Sequence, residues 1–305
     1  MTDVLGRAST ATARLRVRRL FDRREIDAAL SEDRAYAAYA LSHLEPGLFE
    51  RTEFWIAEGA GSEGMVVRSD VVGESLITLG DPDAIDGILS LHPGARAGYL
   101  STAKPAHIRA IERWHHVDDP LSMQRMTVTR ASFTPVEGAA RRLVGRDVGA
   151  INALYALDAR PSHYNGRQID NAVYYGAFAD EQLVAIAGTH VVSPMASTGV
   201  VGNVLTHPDY RGHGLARLVT SRVTATIFEL GCALVVLTAD PLNTPAVRAY
   251  AALGYAPGAA IVEARLRRKD QLGIGAWWRR RRAEHANGYE TVPAPGRVPP
   301  EEAAQ

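Results

Sequence analysis

The chain holds one cysteine and two lysines in 305 residues, and it carries no excess charge of either sign. Each shortage excludes something. Lone Cys232 cannot close an internal disulfide or build a multi-cysteine zinc site, so a disulfide-stapled scaffold is out and a reducing, cytoplasmic compartment is expected. Thirty-four basic side chains balance thirty-four acidic ones, which leaves none of the cationic excess used to displace counterions from nucleic acid. No nucleic-acid partner is expected. No uncharged apolar run approaches 18 residues, and the first twenty residues carry Arg7, Arg14, Arg16, Arg18 and Arg19, so neither a membrane span nor a secretory signal is expected. Lys104 and Lys269 are the only lysines, so the positive charge is almost all arginine.

What is present divides the chain in two. Residues 1–13 lack an apolar period, and 269–305 end among Pro293, Pro295, Pro299 and Pro300; both tails are expected to stay unpacked, offering too little apolar surface to offset ordering entropy. The turn Thr134-Pro135-Val136-Glu137-Gly138 separates segments of similar length, 14–135 and 139–268. In the second, Leu143-Val144 reads as a short strand and 147–157 as a helix. Residues 173–178 and 183–192 form a hairpin, 199–206 a further strand and 215–230 a helix ending at Gly231. Strand 233–238, helix 243–253 and strand 259–267 follow. The first segment repeats this order through strand 15–20, helix 25–44, strands 53–58, 64–72 and 75–79, helix 82–91, strand 97–101, helix 105–115 and strand 122–133. The fold class expected is α/β: two tandem copies of a mixed, mostly antiparallel sheet flanked by helices.

The copies differ after their fourth strands. The first reads Leu79-Gly80-Asp81-Pro82-Asp83, with two acids. The second reads Tyr210-Arg211-Gly212-His213-Gly214-Leu215-Ala216 and runs straight into a helix. Glycines let main chain approach an anion, a helix N-terminus offers unpaired N–H groups, and arginine adds a charge-assisted contact; only the second copy suits a polyanion. No Walker lysine follows, and the repeated parallel βαβ unit of a dinucleotide site is missing.

Further on stands Asn243-Thr244-Pro245-Ala246, then Tyr250 and Gly254-Tyr255. Together, Arg211-x-x-Gly214-x-Ala216 and this second run resemble the GNAT superfamily of acyl-CoA-dependent acyltransferases over about residues 139–268. Over 14–133 the likeness is one of element order. The resemblance implies that acetyl-CoA is the co-substrate. Val204, Leu205 and Thr206 would lend backbone groups to its pantetheine arm, and Arg211, Gly212, His213, Gly214, Leu215 and Ala216 would hold its pyrophosphate. Asn243 would contact the arm, and Tyr250 would protonate the departing thiolate. A phenol of pKa about 10 beside a thiolate of pKa about 8.5 suits that task.

An amine acceptor near pKa 10.4 costs about 4–5 kcal/mol to neutralise at pH 7, so a base would help. Superfamily members often place a glutamate on the fourth or fifth strand. Here Asn203 and Thr238 stand there, and neither takes a proton. His190 on the preceding strand is the substitute; a hydrogen bond within the sheet is its alternative role. Asp240 and His207 are weaker candidates.

The run 158–171, with His163, Tyr164, Asn165, Arg167 and Asp170, reads either as an acceptor-binding segment or as a solvated loop. Trp277-Trp278 and Arg279 to Arg282 read as a helix with docked tryptophans or as an interaction surface. His115-His116 with Asp118-Asp119 lacks ligand spacing on a helix and reads as a polar loop; no metal is expected. The leading expectation is N-acetylation of a small-molecule or peptide amine, the first copy shaping the acceptor cleft. Transfer of a longer or aminoacyl group, and CoA sensing without catalysis, are the alternatives. Oligomeric state is not legible.

Overall fold

A computed structural model describes residues 14–293, apart from 72, 158–162 and 287. The sequence expectation for 1–13 therefore lies outside the described residues. The first half runs β1 (Arg14–Leu20), α1 (Arg23–Leu30), α2 (Ala38–Ser42), β2 (Thr52–Gly59), β3 (Ser62–Ser69), β4 (Ser75–Gly80), α3 (Pro82–Leu91), β5 (Ala97–Ala103), α4 (Ile108–Glu112) and β6 (His115–Thr129). The second runs β7 (Arg141–Arg142), α5 (Val148–Tyr155), α6 (Gly166–Asp170), β8 (Tyr174–Ala179), β9 (Gln182–Ser193), β10 (Thr198–Thr206), α7 (Leu215–Glu229), β11 (Leu234–Ala239), α8 (Thr244–Ala251) and β12 (Ala256–Arg268). After it come α9 (Ile274–Arg282), β13 (Glu284–Ala286) and β14 (Tyr289–Pro293). The fold class is α/β, a mixed sheet flanked by helices, and the order of the first half recurs in the second.

All described strands join one sheet, ordered β13-β14-β1-β2-β3-β4-β5-β12-β6-β11-β10-β9-β8-β7. The halves exchange their last strands. β6 closes the first half yet lies antiparallel to β11, Leu234 opposite Thr129 through Ala239 opposite Gln124. β12 closes the second half yet lies against β5. β6 and β12 pair with each other at the centre, so each half holds a strand that the other half needs. His115 and Asp118 belong to β6 instead of the expected loop: His115 is buried with Nε2 2.9 Å from the Pro93 carbonyl, and Asp118 pairs with Arg267.

Apolar periodicity explains the layers. Val219, Val223 and Ile227 repeat at i, i+4 and i+8 on α7 and bury against the inner face of β9 and β11 through Ala185, Ala187 and Val235. In the first half Ala84, Ile85, Ile88 and Leu89 on α3 do the same over Val17, Val66 and Leu100. The expected helix over 25–44 breaks into α1 and α2, and α2 crosses to the second half, where Ala38 packs on Val200 and Val236. Glu45 fixes this crossing by accepting from the Ser193 hydroxyl at 2.7 Å and from the Met195 N–H at 3.0 Å.

The expectation of an unpacked segment after residue 268 is corrected through residue 293. β14 extends the sheet beside β1 and buries Val292. Arg279 and Arg280 on α9 donate to the Ser90 and Leu91 carbonyls at 2.6 and 2.5 Å, capping the end of α3. The arginines, more than the tryptophans, dock this helix, since Trp277 and Trp278 stay exposed. The expected strand at Leu143-Val144 is displaced to Arg141–Arg142, and Leu143 is a buried core residue whose N–H reaches the Tyr174 carbonyl.

Candidate active site

β10 and β11 run parallel and in register only at Thr198, Gly199 and Val200, opposite Leu234, Val235 and Val236. Beyond Val200 they part, because β10 bulges away against β9: its register slips between Val200 and Val201 and again between Gly202 and Leu205. Asn203 sits in the bulge at φ 55°, a left-handed angle that asparagine tolerates. Tyr155 holds the bulge by donating to the Asn203 carbonyl at 2.5 Å, and the Asn203 amide donates to the Tyr174 hydroxyl at 2.9 Å. A wedge is left between the strands. Val204 and Leu205 lie along it, and the buried Thr206 hydroxyl has no hydrogen-bond partner.

At the wide end the chain turns through Arg211 to Gly214 into α7. Gly212 and Gly214 take φ 81° and 75°, and a Cβ on either would meet nothing within 4 Å, so the turn encircles open space. Gly214 caps the helix without a side chain, so no capping group covers the N–H groups of Leu215, Ala216 and Arg217. Arg211 and His213 are exposed beside them. Arg217, absent from the sequence motif, adds a second arginine in the first turn, its Nε buried and without a partner. The terminus offers uncovered amides, the positive end of a fifteen-residue helix dipole and two arginines.

In the first half the equivalent wedge beside β4 is filled. Tyr36 donates to the Thr78 carbonyl at 2.8 Å, and His107 lies between the Thr78 hydroxyl at 2.9 Å and the Gly80 carbonyl at 3.0 Å. Pro82 removes an N–H from the first turn of α3, and Asp83 adds an acid there. That copy has neither space nor charge for an anion.

A cavity of about 300 Å³ opens at the splay point, and Val201, Gly202, Asn203, Val204, Leu237 and Thr238 form its strand walls. Tyr250 on α8 faces it. The ring is buried against Tyr255, and burial pushes its pKa up to about 12. Asn243 is the N-cap of α8, its Oδ1 accepting from the Ala246 N–H at 3.3 Å, so it builds the helix that carries Tyr250. His190 lies across β10: an added Cβ on Gly202 would stand 2.0 Å from its Nε2, so the ring occupies the space that glycine leaves. His190 is exposed to the cavity, and the protein packed around it, with the Arg125 guanidinium, lowers its pKa below the usual imidazole value. His190 is neutral at pH 7.

Three contributors were not legible in the sequence. Tyr39, from α2 of the first half, tilts against His190 with ring centroids 5.9 Å apart. Arg125 on β6 is fully buried, donating to Thr238 Oγ1 at 2.8 Å and Thr102 Oγ1 at 3.0 Å beneath the Tyr39 ring. Glu263 on β12 lines the cavity opposite the strand walls. Tyr164 leans on Tyr155 and Tyr174, Asn165 caps α6, and Asp170 accepts from the Gly145 N–H; these members of the 158–171 run serve the local fold, while 158–162 lie outside the described residues. Among the described residues no group of three or more His, Cys, Asp or Glu side chains is placed to hold a metal, and no helix is long and apolar enough to cross a membrane.

The sheet thus splays between β10 and β11 over an uncapped helix terminus. Residues 150–255 match the model of the Acetyltransferase (GNAT) family, so the second half of the chain carries a GNAT domain. Two solved structures agree at the level of fold, and a third is matched over a similar share of the chain. A GCN5-related N-acetyltransferase from Kribbella flavida is 20% identical, with TM-score 0.50, over 76% of this chain and 95% of its own. The X-ray structure of a Drosophila protein is 14% identical, with TM-score 0.54, over 80% of this chain and 87% of its own. A tandem GNAT protein from the clavulanic acid biosynthesis pathway is 16% identical, with TM-score 0.46, over 82% of this chain and 98% of its own. No curated protein matches the chain.

Proposed function

We propose that the protein transfers an acetyl group from acetyl-CoA to the primary amine of a small molecule or peptide by direct attack. The observation that carries this reading is the unfilled wedge between β10 and β11, ending on the uncapped N-terminus of α7, while the same wedge in the first half is plugged. Backbone groups of Val204, Leu205 and Thr206 receive the pantetheine arm as an added strand would. The amides of Leu215 and Ala216, the glycines around His213, and Arg211 receive the pyrophosphate.

Tyr250 serves the leaving group. Full proton transfer from a phenol near pKa 12 to a thiolate near 8.5 is uphill by about 5 kcal/mol, so its first action is to hydrogen-bond the developing thiolate. His190 accepts a hydrogen bond from the attacking nitrogen. Its pKa, lowered by the protein packed around it and by the Arg125 guanidinium, makes it a weak acceptor for the proton of an ammonium near pKa 10.4, which favours orientation over basicity. Asn203 and Thr238, standing on the strands where a glutamate would serve, favour a second reading in which the domain binds CoA without turnover. One experiment separates the two. Acetyl-CoA should raise the melting temperature, and thiol release should then follow on addition of one or more members of an amine panel. Stabilisation with no release supports the binding-only reading, and no stabilisation by acetyl-CoA or CoA removes both.

A further inference from the structure

Glu263 is the one carboxylate among the described residues lining the cavity. Its position is built. The register of β12 slips against β5 between Val262 and Ala264, and against β6 between Glu263 and Arg265, so Glu263 lies at a double irregularity of the kind that re-aims a side chain. The Tyr99 hydroxyl donates to its Oε2 at 2.8 Å. Burial raises its pKa above the usual carboxylate range, despite that bond and the Arg125 charge, so the anion is under-compensated where it stands.

No cationic side chain among the described residues lines the cavity to meet a ligand's anion, and the Arg125 charge acts from behind its wall. Arg125 does not line the cavity; it is fully buried, with its Nη donors directed at Thr238 and Thr102. The rest of the lining mixes tyrosine rings and aliphatic side chains, chiefly Tyr39, Tyr155, Met123 and Leu237, with the polar Asn203 and Thr238. A carboxylate brought into this space loses its hydration and reaches no cationic side chain in the lining, whereas an ammonium meets Glu263 and the tyrosine faces.

We infer that the acceptor is a monoamine with an aromatic or apolar body and no carboxylate, its ammonium received by Glu263. This rests on the acyltransferase reading of the site; Glu263 is then the specificity-determining residue for the acceptor, and the proton that the ammonium must shed before its nitrogen attacks passes to the Glu263 carboxylate. The test is calorimetric titration of the protein saturated with CoA, using 2-phenylethylamine and L-phenylalanine, which share a body and differ by a carboxylate. The expected result is at least tenfold tighter binding of 2-phenylethylamine. Glu263→Gln should weaken that binding at least tenfold, Glu263→Asp should retain most of it, and both variants should keep the CoA affinity within twofold. Equal or tighter binding of phenylalanine, no measurable binding of 2-phenylethylamine, or indifference to Glu263→Gln overturns the inference. Should CoA itself fail to bind, the acyltransferase reading falls separately, and the same amine titrations on the free protein still decide the role of Glu263.

Discussion

Replacing Gly202 by alanine tests the placement of His190 at the heart of the cavity. The backbone at Gly202 is not left-handed, so a methyl group adds no conformational strain, and whatever it does comes from contact. An ideal Cβ would lie 2.0 Å from His190 Nε2 and 2.2 Å from its Cδ2, whereas ordinary contact begins at 3.4 Å. The ring must therefore retreat by 1.4 Å, with Tyr39 already against it at a centroid distance of 5.9 Å. Overpacking of this kind costs about 1–3 kcal/mol. Urea denaturation of Gly202→Ala, His190→Ala and the double variant gives the coupling. The single Gly202→Ala variant should lose about 1–3 kcal/mol, and most of that loss should vanish once His190 is alanine. A Gly202→Ala cost unchanged in the His190→Ala background would refute the geometry.

Other outcomes follow from the same physical terms. Tyr250→Phe removes one hydrogen bond to a developing charge, worth about 1.5–3 kcal/mol, so kcat for thiol release should fall roughly 10- to 150-fold with the KM for acetyl-CoA little changed. His107 is buried with its pKa lowered to about 4 from 6.5, so the unfolded chain binds the proton that the folded one refuses between those values. Stability is full above pH 6.5 and declines as pH falls towards 4; at pH 4.5 the loss from this residue is roughly 2–3 kcal/mol, and His107→Gln should flatten that part of a urea-denaturation profile. Truncation after Arg268 strips Val292 and Ala276 from the core and two arginines from the end of α3. It should cost on the order of 3 kcal/mol in thermal denaturation while leaving CoA affinity intact.

What the sequence disclosed was local. The turn from Arg211 to Ala216 and the Asn243 cap are read from neighbours along the chain, and the structure places left-handed glycines and a capping asparagine there. The apolar stripe of α7 was equally plain, because helical period is a short-range signal. What stayed hidden was non-local. Nothing near residue 125 reveals that β6 pairs with β11 of the other half, which seats Arg125 against Thr238. The direction of Glu263 depends on bulges set by two partner strands, and a strand pattern alone assigns it to either face. Tyr39 reaches His190 because the helical run breaks at residues 31–37 and α2 crosses to the second sheet half, which apolar period does not foretell. The tail misled for the same reason: Val292 looks unsupported until β1 stands beside it.

The central claim is that the N-terminus of α7 holds the cofactor's pyrophosphate while the splayed strands hold its arm. Calorimetric titration of CoA against pantetheine, which keeps the arm and lacks the pyrophosphate, tests this most directly. CoA should bind at least about a hundredfold more tightly, a difference of about 2.7 kcal/mol, and Arg211→Ala should narrow the gap. Equal affinities for CoA and pantetheine, or a gap untouched by Arg211→Ala, would contradict the account.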